Sequence, residues 1–153
     1  MIDAVSLKIL KILQEKARIP NVEVARQVGM APSAVLERIR KLEKQGFIDG
    51  YEVRLNPQRF AKSLVAFVRV KINKLCDEKK VGEKLSRIQQ IQEVHYVAGE
   101  DAFLVKIRAA DTKDLGRLTR DKIAAIAAVQ STQTAIVLST YKETARIPID
   151  SID

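Results

Sequence analysis

One cysteine, one histidine, no tryptophan, four prolines and six glycines leave this 153-residue chain short of specialised side chains. A lone Cys76 excludes an internal disulfide and any cysteine-cluster zinc site within one chain. A lone His95 gives no histidine set for a metal, and no Ser-His-Asp or Cys-His arrangement can be assembled around it. No glycine-rich loop is built to cradle phosphate. The expectation is therefore no metal, no cofactor and no enzyme. The chain also lacks a run of ~18 apolar residues, and Met-Ile-Asp-Ala-Val-Ser is not a signal-peptide start. A cytoplasmic protein away from membranes is expected.

Positive charge is not scarce. The net charge is +8, with 12 Lys/Arg against 7 Asp/Glu in residues 1–63 and 15 against 12 in residues 64–153. An anionic partner suits that balance, and the excess is denser in the first part. Hydrophobic residues make up 46% and charged residues 30%, a globular rather than a disordered composition.

The chain is organised around residues 21–46. Val22, Val24, Ala25 and Val28 give a first helix an apolar face, and Asn21 is placed to cap it. Gly29 follows where a helix needs a residue tolerant of positive φ, and Pro32 sits where a first helical residue belongs. Val35, Ile39 and Leu42 recur at i, i+4, i+7 and share one buried stripe. The opposite arc carries Ser33, Ala34, Glu37, Lys41 and Lys44, with Arg38 and Arg40 on its flanks. Gly46 ends the helix. An apolar-backed helix after a Gly-containing turn, with small and basic residues on its free face, is the helix-turn-helix pattern. The residues expected at DNA are Ser33, Ala34, Glu37 and Lys41 towards bases, and Arg38, Arg40 and Lys44 mostly towards phosphate.

Around this pair, Ile2, Val5, Ile9, Leu10, Ile12 and Leu13 predict a helix over about 3–16, capped by Asp3 or Ser6. Phe47, Tyr51, Val53 and Leu55 alternate and predict a short strand. From Leu64 the period changes. Strands are predicted at 64–72, 93–98, 102–108 and 132–140, with helices at about 77–88 and 112–127. The order β-α-β-β-α-β is the ferredoxin-like split βαβ unit. Its helices cover one sheet face, and the other, which carries apolar residues, is expected to be covered by a second subunit. The tail from 140 is a candidate edge strand through Ile147, and Cys76 a polar-loop residue. The fold class is α+β: a three-helix, winged-helix-like helix-turn-helix domain over residues 1–60 and a ferredoxin-like sandwich over 61–153.

The chain resembles the Lrp/AsnC (feast/famine) transcriptional regulators. The likeness rests on Ile9-Leu10 with Leu13-Gln14, on Val24-Ala25-Arg26-Gln27-Val28-Gly29, and above all on one longer run. That run is Val35-x-x-Arg38-Ile39-x-x-Leu42-Glu43-x-x-Gly46-Phe47-Ile48-x-Gly50-Tyr51. The resemblance implies a regulator of double-stranded DNA, a homodimer that assembles to tetramers or octamers, and a free amino acid bound between subunits. It places that effector at Gly99, Glu100 and Asp101, with Thr132, Gln133 and Thr134 nearby on a neighbouring subunit. Two positions depart from the family pattern. Ala31 stands where a capping serine is usual, and Ala102 stands where the effector loop often carries aspartate, which moves the acid to Asp101 or Glu100. Gly99-Glu100-Asp101-Ala102 also suits an ordinary hairpin turn. Sirohaem decarboxylases share this two-domain body and are the enzymatic alternative.

Overall fold

Side-chain periodicity sets the architecture of the computed structural model, which describes residues 2–149 as two compact units. One comprises residues up to 54 together with those from 142 onward, and the other residues 55–141. This contact grouping divides the chain near residue 54 and groups the tail with the first unit.

The first unit, the head, holds three helices: α1 (Ala4–Glu15), α2 (Asn21–Val28) and α3 (Pro32–Lys44). Asp3 caps α1 by accepting the Ser6 N–H at 2.7 Å. Pro20, in extended conformation, takes the N-cap position of α2, so Asn21 is already helical and makes no cap hydrogen bond. Proline fixes φ, and the chain enters the helix one residue earlier than the Asn21 cap expected from composition. Gly29 ends α2 at φ 72°. Gly46 ends α3 at φ 74°, where the Phe47 N–H reaches the Leu42 carbonyl and the Gly46 N–H that of Glu43. This is a Schellman motif. Ile9, Leu10 and Leu13 pack with Val24, Ala25, Val35, Ile39 and Leu42 in one core. Val22 is a correction: it lies on the opposite side of α2 from Val24 and is exposed.

The strand expected over 47–55 does not form. Tyr51, Val53 and Leu55 alternate, yet all three are exposed and no strand of the described residues pairs with the segment. Alternation in sequence supplies a face, but a strand also needs a second strand beside it. The tail is corrected too. Residues 142–149 form no strand, and Ile147 hydrogen-bonds to Gln14 of α1 instead.

In the second unit β1 (Leu64–Ile72), α4 (Glu78–Ser86), β2 (Ile91–Val97), β3 (Ala102–Ala109), α5 (Thr112–Leu118) and β4 (Val129–Ile136) follow in order. The sheet is antiparallel with order β2-β3-β1-β4. Val68, Val70, Val105 and Ile107 face Val81 and Leu85 of α4 and Leu115 and Leu118 of α5. Two predicted boundaries move. The last helix passes at Thr119 into a π-helical turn ending at Ile123, where the Ala124 N–H reaches the Thr119 carbonyl. The Thr119 hydroxyl bonds back to the Leu115 carbonyl, and the wider turn buries Ile123. β4 starts and stops earlier than the expected 132–140. Cys76, expected in a polar loop, packs partly against this core.

The sheet face away from the helices carries apolar residues among cations. Strand alternation and register place Phe67, Leu104 and Val97 there, and interleave them with Arg69, Lys71, Lys106 and Arg108. Lys106 is largely buried and donates to Glu93 at 3.2 Å. Apolar counts alone do not reveal such a mixed face, because the cations occupy the alternate positions of β1 and β3.

Candidate DNA interface and effector site

α3 has 13 residues and so runs ~20 Å. Its buried positions are Val35, Ile39 and Leu42. At ~100° per residue these fix the opposite arc, and Ser33, Glu37, Arg40, Lys41 and Lys44 are all exposed there. Ala34 is half-buried at the edge of that arc. The first turn has no acidic residue, which leaves the positive end of the helix dipole open to an anion. Lys41 and Lys44 lie in the last turn, where cations complement the dipole. Ala31 supplies no side-chain cap, as its methyl requires, and Pro32 opens the helix without a cap hydrogen bond.

Arg38 is turned away from the free arc. Its Nη1 donates to Asp3 Oδ2 at 2.5 Å and to Ser6 Oγ at 3.0 Å. One carboxylate thus caps α1 and fastens α3 to it. The Ser6 N–H and then the Arg38 guanidinium hold the Asp3 carboxyl far below the usual carboxylate range. Sequence reading named Asp3 only as a cap, because its contact with residue 38 is long-range. Other cations of the head are also engaged within it. Lys8 donates to the Gln27 carbonyl at 2.7 Å, and Arg26 pairs with Glu23 at 2.6 Å. Tyr51 donates to Glu43 at 2.9 Å, and desolvation first, then that carboxylate, push its phenol up to about 12.

In the other unit, Gly99 at φ 102° and Asp101 at φ 39° make the tight link between β2 and β3. Glycine enters the left-handed region freely, while aspartate does so at modest cost. The Ile72 N–H donates to the Asp101 carbonyl and ties the link to β1. Both side-chain acids are engaged. Glu100 accepts from Arg69 Nη1 at 3.0 Å. Asp101 accepts from the Tyr96 hydroxyl at 3.4 Å and pairs with Lys74 at 3.5 Å. Burial and then the charge of Asp101 raise the Tyr96 phenol. Tyr96 also meets the buried Phe103 ring, with centroids 5.1 Å apart.

Register decides which β4 residues share this place. Gln133 is opposite Arg69, so it stands on the same sheet face as the Arg69–Glu100 pair. Thr132 and Thr134 are opposite Val70 and Val68, whose side chains enter the helix-side core. Within one chain the expected effector residues therefore divide. Glu100 pairs with Arg69 and Gln133 shares that sheet face, Asp101 in the same link is held by Tyr96 and Lys74, and the two threonines face the other way. Arg69 and Lys74 were missed from sequence. Arg69 reads only as an alternating strand residue until the link folds over it. His95 is exposed on the same outer face, 3.3 Å from Glu93. Among the described residues no group of three or more His, Cys, Asp or Glu is placed to hold a metal ion. Nor, among them, is any helix long and apolar enough to cross a membrane.

Comparison with known proteins matches both units. Residues 2–49 match a family model described as winged helix-turn-helix DNA-binding, and residues 65–147 match the Lrp/AsnC ligand binding domain. The leucine-responsive regulatory protein of Klebsiella pneumoniae is 34% identical over 150 residues, covering 97% of this chain and 92% of its own. A solved complex of the transcriptional regulator NMB0573 of Neisseria meningitidis with L-Met superposes with a TM-score of 0.93 at 28% identity, covering 98% of each chain. The AsnC structure from E. coli superposes with a TM-score of 0.87 at 26% identity, covering 97% of this chain and 99% of that one.

Proposed function

Since this chain belongs to the Lrp/AsnC family and is a DNA-binding transcriptional regulator of that type, we propose how its residues divide the work. α3 enters the major groove by its N-terminal half. Ser33, Ala34, Glu37 and Lys41 approach base edges, and Arg40 and Lys44 neutralise phosphate. Arg38, expected at phosphate, instead braces the helix against α1 through Asp3 and Ser6. The observation that carries this reading is the exposed arc of α3, free of acid in its first turn and backed by Val35, Ile39 and Leu42.

A second copy covers the open sheet face, and two heads read two half-sites about one helical turn apart or a multiple of it. Higher assembly to tetramers or octamers follows the family pattern. The effector is a free amino acid, the class to which the L-Met of the NMB0573 complex belongs. It binds where Glu100 and Arg69 already pair: its ammonium takes the Glu100 carboxylate and its carboxylate takes the Arg69 guanidinium. Asp101 is held by Tyr96 and Lys74 and keeps the link in shape. Thr132 and Thr134 act only from a neighbouring subunit. The protein works in the cytoplasm, and catalysis has no part in this reading. The sirohaem-decarboxylase alternative is not favoured, because the Klebsiella relative and NMB0573 are named as regulators.

The test is a thermal-shift screen of the full chain with the twenty amino acids, since a ligand that binds only the folded state raises Tm. At least one amino acid should raise Tm, and Glu100→Gln should weaken that amino acid's binding ~10-fold, the loss expected of a charge-assisted hydrogen bond. Undiminished binding by Glu100→Gln would remove the assignment.

A further inference from the structure

The chain crosses between its two units twice, leaving the head after Arg54 and re-entering it at Lys142. Neither crossing is stiffened by regular structure, since residues 49–56 and 137–149 hold no helix or strand. The second crossing is nevertheless made fast on arrival. The Gln14 side-chain amide donates to the Ile147 carbonyl at 3.1 Å and accepts from the Ile147 N–H at 2.8 Å. One side chain thereby satisfies both backbone groups of one residue, as a neighbouring strand would. An amide side chain carries a donor and an acceptor at that spacing, whereas an ionised carboxylate has no donor. Arg146 Nη2 donates to the Glu15 carbonyl at 3.2 Å, one of the terminal carbonyls α1 leaves without a helical partner. Ile149 packs on the head core.

We propose that Gln14, with its grip on Ile147, is a positioning residue for operator half-site spacing: it turns a head on one flexible tether into a head on two. This rests on the DNA-reading function proposed above. A single flexible tether lets two linked heads reach half-sites over a broad range of separations, while a shorter or stiffer connection narrows that range. The latch touches no DNA. It therefore leaves the affinity of a head for one half-site unchanged and acts on the discrimination between separations.

The test uses the full-length protein. Wild type selects its operator from a random duplex pool. Affinities are then measured for that operator, for an isolated half-site, and for the operator with half a helical turn, about 5 base pairs, inserted between half-sites. Three variants are compared with wild type. Gln14→Met keeps the side-chain length and loses both hydrogen bonds. Gln14→Glu keeps the acceptor and loses the donor. Ile147→Pro removes the N–H from the other side of the contact. Insertion should weaken wild type by about 10-fold or more and Gln14→Met and Ile147→Pro by about 3-fold or less, with Gln14→Glu between them. Half-site affinity should stay within about 2-fold in all four proteins. An insertion penalty in Gln14→Met and Ile147→Pro equal to that of wild type overturns the proposal, as does an equal loss on half-site and operator. If wild type selects no DNA at all, the underlying reading fails first and is recognised by that result.

Discussion

Ile9→Ala is the perturbation that most sharply separates the two units. Ile9 is fully buried at the centre of the head, against α2 and α3, and belongs to a cluster distinct from that of the sandwich. Truncation removes about three methylene equivalents at ~0.8 kcal/mol each and leaves a cavity, for a total of about 2–5 kcal/mol. A unit of this size is stable by about 3–8 kcal/mol. The substitution therefore consumes a large share of the head's stability. A loss of about 3 kcal/mol lowers the Tm of such a small unit by about 12–24 °C.

Two readouts follow the two units separately. Calorimetry of the variant should show a low-temperature transition that has moved down and a second that has not. Hydrogen exchange should accelerate at Val24 and Ala25 of α2 and stay slow at Val68, Val70 and Val105 of the sandwich sheet. Ile9→Val, which deletes one methylene, should cost only about 0.5–1.5 kcal/mol. If the sandwich transition fell as far as that of the head, the two clusters would be one cooperative core and the two-unit account would be wrong.

Other substitutions check single features of the head. Gly46→Ala places a Cβ at φ 74° with no atom within 4 Å, so the cost is backbone strain alone, about 1–2 kcal/mol in a chemical melt of the head. Gly46→Asn should cost less, because asparagine tolerates that region better. Asp3→Asn keeps an N-cap acceptor but removes the charge that holds Arg38. A depressed carboxylate stabilises the fold above its unfolded pKa of about 4 and loses that contribution as pH falls through its lower folded value. Wild type should thus melt higher than Asp3→Asn at neutral pH, with the gap closing progressively below about pH 4. A gap independent of pH would mean that the Asp3 charge does not matter.

Much of this fold is legible in the sequence because burial leaves a period. Val35, Ile39 and Leu42 mark α3, and the change of period at Leu64 marks the passage from helices to a sheet. Gly29, Pro32 and Gly46 mark helix ends, since each is tied to a backbone conformation that few residues share. What period does not record is pairing. Tyr51, Val53 and Leu55 alternate like a strand and remain unpaired, while Ile147 finds a side chain of α1 rather than a sheet edge.

The candidate sites were legible in the same proportion. The exposed arc of α3 follows from one angle per residue, so Ser33, Glu37, Arg40, Lys41 and Lys44 were available from spacing. Arg38 also lies off the buried stripe, but its direction depends on Asp3, a residue far away in the chain. Thr132 and Thr134 looked equivalent to Gln133 until register set them on the other face. Arg69 became a site residue only through the fold of the link that carries Glu100.

The claim on which the rest depends is that the outer arc of α3 meets DNA. Its most direct test is the affinity of Lys41→Glu and wild type for the DNA that wild type selects, measured across a series of salt concentrations. The claim predicts a steep loss of wild-type affinity with salt, and about 10- to 100-fold weaker binding by a Lys41→Glu protein whose melting is unchanged. Equal affinity and an equal salt slope in the two proteins would contradict it.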